Sequence, residues 1–133
     1  MPIARGSFEI SSWDETPYRE EDDDDGRKLT EAVVTQKFIG DIEGEGSVRW
    51  LMCYRPDGTA DWVGHQRIEG TVEGRSGSVV ILSVGTFDGA KVEGTLSVIG
   101  GSGTGELAGL EGEGRMEAPM GSQASYELEY RVS

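Results

Sequence analysis

Apolar and polar residues alternate along most of this chain, the period of two that sends successive side chains to opposite faces of a strand. From Ser7 to Trp13 the alternation places Phe8 and Ile10 on one face and Ser7, Glu9 and Ser11 on the other. Leu29 to Ile39 is rich in β-branched residues and predicts a second strand, ended by Gly40-Asp41. Ile42 to Trp50 carries glycines at two-residue spacing, which marks a bend or a close backbone approach inside a third strand. Arg55-Pro56-Asp57-Gly58-Thr59 has the chemistry of a turn.

From Asp61 to Val72, Trp62, Gly64, Gln66, Ile68 and Gly70 share a face that we assign inward, leaving His65, Arg67 and Glu69 outward. Glu73 to Gly77 reads as a hairpin turn into Ser78 to Phe87, the most apolar strand of the chain. Asp88-Gly89 is a two-residue hairpin signal, and Lys91 to Ile99 returns. Gly114 to Ala118, a loop at Pro119 to Ser122 and a last strand, Ala124 to Val132, complete the pattern. About eight short strands without helical periodicity predict an all-β fold. Glycines inside those strands favour a single eight-stranded antiparallel β-barrel over residues 1–133, with negligible helix.

The glycine-dense stretch from Gly100 to Gly114 contains Gly103-Thr104-Gly105-Glu106-Leu107-Ala108, which matches the dinucleotide fingerprint G-x-G-x-x-A. That fingerprint works by opening a helix whose N-terminus holds a pyrophosphate. Here Gly109, Gly112 and Gly114 break any helix, and Glu106 and Glu111 would repel phosphate. The stretch therefore reads as a corner between strands, with Leu107 and Leu110 plugging an apolar edge through one turn of helix.

Charge narrows the partners. With 25 acidic against 12 basic residues, the net charge is −13, which argues against nucleic acid and anionic membranes. The N-terminus lacks an apolar leader core and no stretch has the length of a membrane span, so a cytoplasmic location is expected. Cys53, the single cysteine, excludes an internal disulfide; its apolar neighbourhood, Trp50 to Tyr54, predicts a buried, inert thiol. The acidic run over residues 20–26 predicts a solvated, mobile loop and lacks the spacing of an EF-hand. His65 has no second histidine or cysteine nearby, so no metal and no cofactor is expected. No nucleophile elbow, Ser-His-Asp set or P-loop is present.

Three segments taken together, with the chain's end, carry a resemblance. They are Gly6-Ser7-Phe8-Glu9-Ile10 with Trp13, Ile68 to Ser78, and Ser102 to Gly112, closing with Ser125-Tyr126-Glu127-Leu128-Glu129-Tyr130. The chain resembles a bacterial domain-of-unknown-function family of this length whose members adopt the allene-oxide-cyclase-like barrel. The resemblance implies an eight-stranded antiparallel barrel and no established activity. Members often carry Glu where this chain has Gln66 and His where it has Ser83. An interior Glu and His could exchange protons, whereas Gln66 and Ser83 only hydrogen-bond.

What transfers is a location, the barrel interior. Its candidate ligand-binding residues are Gln66, Ser83, Trp62, Tyr126, Tyr130 and Glu9. An eight-stranded barrel holds either packed side chains or one small ligand. Glycines 64, 85 and 94 would leave space, and Phe8, Trp62, Tyr126 and Tyr130 could refill it. The expected function is binding of a small apolar molecule without turnover. The alternatives are an isomerase or cyclase, which needs an interior charge-stabilising group such as Glu9, and a structural protein with a filled barrel. Relatives of this barrel type assemble through outer faces, so a homo-oligomer through the stripe Val80, Leu82 and Val84 is a further expectation.

Overall fold

A computed structural model describes residues 2–18, 26–119 and 123–133. The alternating segments form eight strands: β1 Ile3–Pro17, β2 Lys28–Gly40, β3 Ile42–Tyr54, β4 Ala60–Val72, β5 Arg75–Phe87, β6 Lys91–Val98, β7 Leu110–Pro119 and β8 Ala124–Val132. Each pairs antiparallel with its sequence neighbours, and β1 pairs with β8, closing an up-and-down barrel. The single helical element among the described residues is a 3₁₀ turn at Gly105–Leu107. No helix among the described residues is long and apolar enough to cross a membrane. Of the acidic run, all but Gly26 lies outside the described residues.

Alternation decides what is buried. On β4, Trp62, Gly64, Gln66 and Ile68 face the interior while Val63, His65, Arg67 and Glu69 face out. On β5, Val79, Ile81 and Ser83 are buried, and Val80, Leu82 and Val84 form the outward stripe. The same alternation corrects the expectation for Cys53. Trp50 and Met52 take the inward positions of β3, so Leu51 and Cys53 lie on the outer wall and the thiol is exposed.

Two other expectations change for local reasons. β1 runs on to Pro17, and a bulge between Ile10 and Ser12 shifts its phase. Before the bulge Phe8 and Ile10 face inward with their partners Phe38 and Gln36; after it Trp13 and Glu15 do, opposite Val34 and Ala32. The last strand before the C-terminal hairpin starts at Leu110 rather than Gly114. Gly112 and Gly114 lie within the ladder to β8, opposite Tyr130 and Leu128.

The two ends of the barrel differ. At one end the chain crosses at Asp41, at Glu73-Gly74 and through the corner 99–109. There Thr104 Oγ1 accepts the Ser78 N–H, Ser102 Oγ accepts the Val80 N–H, and the Glu106 carboxylate accepts the Ser76 N–H. Leu107 and Leu110, each 1% exposed, seal this end as a stopper. At the other end β8 begins only at Ala124, opposite Phe8, so from Glu9 onward β1 has no partner on that side among the described residues. Among the described residues the barrel is stoppered at one end and open at the other.

Candidate functional site

Three tryptophans define the open end. Trp50 enters from β3 and Trp62 from β4 because both hold inward positions of the alternation, and Trp13 joins them because of the β1 bulge. Their rings follow one another, Trp13 against Trp50 at 5.8 Å and Trp50 against Trp62 at 5.4 Å, both tilted, within the range where edge and face attract. Small residues make this possible. A side chain at Gly94 would come within 2.5 Å of Trp62 Cη2, and one at Gly64 within 2.7 Å of Trp50 Cδ1. Gly85 likewise lies beneath the Trp62 ring. The room those glycines leave is thus occupied by indoles.

Above the indoles lies an open cavity of about 560 Å³. Its wall continues through Phe8, Met52, Phe87, Val92, Met116 and Ala118, so it is mostly hydrocarbon and aromatic. Among the described residues Glu9 is its single charged lining residue, at the rim, where its carboxylate accepts from the Gln123 amide at 3.3 Å. The Trp62 indole N–H is buried and has no partner among the described residues. It is a donor that an occupant's oxygen could satisfy.

Behind the rim stands Glu15. Its carboxylate accepts from Trp13 Nε1 at 3.1 Å, Thr30 Oγ1 at 2.7 Å and the Tyr54 hydroxyl at 2.7 Å. Partial burial pushes the Glu15 carboxyl up, but the bonds from Thr30, Tyr54 and Trp13, with the Lys28 charge, outweigh it and hold the pKa below the usual value. Burial and the same carboxylate push the Tyr54 phenol well up. The group fixes Trp13 and Tyr54, both lining residues, around an ionised anion.

The six residues expected to bind a ligand therefore separate. Trp62 and Glu9 line the cavity. Gln66 and Ser83 lie in the packed interior and bond to the protein. Gln66 donates to Gln36 Oε1 at 2.6 Å, and Ser83 Oγ accepts from Trp50 Nε1 at 3.0 Å. Tyr126 and Tyr130 are buried towards the stoppered end. The Tyr126 hydroxyl accepts the Ile42 N–H at 2.8 Å, and the Tyr130 hydroxyl donates to Glu73 at 2.6 Å. Trp13, Glu15, Tyr54 and Phe87 are not among the ligand-binding residues that the sequence predicts. Trp13 needs the bulge to turn inward, and Glu15 meets Tyr54 across 39 positions of chain.

No curated protein matches the chain. A crystal structure of a protein of unknown function from Shewanella oneidensis MR-1, of the DUF3224 family, is similar with a TM-score of 0.83 at 25% identity, covering 100% of this chain and 98% of that one. Residues 4–130 match the family described as "Protein of unknown function (DUF3224)". With nearly its whole length inside that match and the same barrel in a solved member, the chain belongs to the DUF3224 family.

Proposed function

We propose that this protein binds a small apolar molecule in the open end of its barrel and releases it unchanged. The observation that carries the reading is the cavity of about 560 Å³, which lies within the range of small-molecule sites and is walled by aromatic and aliphatic side chains. Exposed aromatic surface of this extent, gathered in a concavity, is what an apolar ligand would cover. Turnover has less support. Of the interior polar groups, Gln66 bonds Gln36 Oε1, Ser83 bonds Trp50 and Gly64, and the Gln36 amide nitrogen has no partner among the described residues; all are amides or a hydroxyl. A cyclase or isomerase would need an acid or base against the bound molecule, and Glu9, the carboxylate among the described lining residues, stands at the rim bonded to Gln123.

Native mass spectrometry of the protein purified from its source, with a thermal-shift screen of lipids and aromatic metabolites, tests the proposal. A retained small molecule, or a ligand that raises the melting temperature, is the expected result. Ala118→Trp, which fills the cavity from its wall, is expected to abolish that shift. If nothing is retained and nothing shifts, the structural reading of the barrel replaces this one.

A further inference from the structure

The wall of the cavity distinguishes among apolar ligands by charge. Resting on the reading that the cavity binds small molecules, we propose that its preferred occupant is an aromatic or compact hydrophobic cation, seated against the indoles with its positive charge towards Glu15. The faces of indole and phenol rings carry negative potential, and a cation within about 6 Å of a ring centroid is attracted to it. Trp13, Trp50 and Trp62 form a continuous tilted series, with Tyr54 beside them on the same wall. Two of these four rings, Trp13 and Tyr54, donate hydrogen bonds to the Glu15 carboxylate, so the anion is tied directly to the aromatic wall. Glu9 adds a second carboxylate at the rim, and among the described lining residues there is neither lysine nor arginine.

The protein's own cation already uses this preference. The Lys28 ammonium rests 4.8 Å from the centroid of the Tyr54 ring, on a side chain that is exposed at the first position of β2. It partly balances Glu15 and would compete with a cationic guest. An anionic guest, by contrast, would be brought up to the two carboxylates of Glu15 and Glu9. A neutral guest would gain the apolar contact alone.

Calorimetric titration with N-methylquinolinium, 1-methylnaphthalene and 1-naphthoate separates these cases, since the three are alike in size and differ in charge. The expected order of affinity is cation, neutral, anion, with about tenfold between the first two. Glu15→Gln keeps an acceptor for Thr30 and Tyr54 while removing the charge. It is expected to weaken N-methylquinolinium about tenfold and 1-methylnaphthalene by a much smaller factor, the latter because the Gln amide no longer accepts from Trp13, whereas Lys28→Gln is expected to tighten the cation several-fold. Equal binding of cation and neutral isostere by the wild type, or equal weakening of both by Glu15→Gln, overturns the proposal while leaving a binding site standing. Should none of the three bind, the binding reading itself fails. If Glu15→Gln does not fold, the wild-type series and Lys28→Gln decide.

Discussion

Tyr126 shows how one hydroxyl can tie together the turn of a neighbouring hairpin. Its oxygen accepts the Ile42 N–H at 2.8 Å and lies 3.1 Å from the Ile39 carbonyl, to which it donates. Removing it strands a buried backbone donor, so Tyr126→Phe is expected to destabilise the fold by about 1–3 kcal/mol in urea titration, with an unchanged m-value. Burial, joined by the charges of Asp41 and Glu43, pushes this phenol up to about 12 from its ordinary 10.0. The sign of the linkage follows. A raised pKa favours the neutral form in the folded state, so the stability it supports is complete below pH 10 and lost as pH climbs towards 12. Glu15 acts at the other limit. Its lowered pKa contributes stability above the ordinary carboxylate range that is lost as pH falls through the folded value. Melting temperatures across both ranges should show Tyr126→Phe flattening the alkaline limb and Glu15→Gln the acid limb.

At the level of the element, the glycine corner is a device for carrying a plug. Gly105 opens its 3₁₀ turn at φ +59°, where a β-branched residue is strained, and a Cβ there would stand 2.9 Å from the Ser76 carbonyl. Gly105→Val is expected to unseat Leu107 and lower the melting temperature by several degrees, visible by circular dichroism. Much of this element was legible in the chain, since the spacing of Leu107 and Leu110 among glycines allows little other than a short plugging turn. The inward faces of β4 and β5 were equally legible, because unbroken alternation reports a face without reference to partners. Legibility stopped wherever a face depends on something beyond alternation. The inserted Ser11 turns Trp13 inward, which no local apolar count registers. Glu15 finds Tyr54 and Thr30 only through the register of β1, β2 and β3, and register is set by pairings between distant segments. The apolar run around Cys53 misled for the converse reason, as the outer wall of β3 is itself apolar at Leu51.

For the whole molecule, closure is the decisive contact. β1 meets β8 over Ile3 to Phe8 and Ala124 to Glu129, pairings that span nearly the full chain. Such non-local contacts slow folding, so refolding is expected on the millisecond-to-second scale, as stopped-flow tryptophan fluorescence would record. A chain truncated before Tyr126 loses most of β8, exposes the edges of β1 and β7 and removes buried Tyr126, Leu128 and Tyr130. It is expected to lack a cooperative melting transition and to aggregate at concentrations where the full chain stays monodisperse or forms a defined assembly.

Among the described residues, the stopper of Leu107 and Leu110 makes the barrel a blind well. A blind well has one door, so anything inside must back out the way it came, and a second molecule cannot push the first through. Exchange would then be governed by departure rather than arrival. The outermost part of an occupant would always remain at the threshold, in contact with solvent. A hydrophobic group attached to something far larger could therefore be received as readily as a free molecule of the same shape.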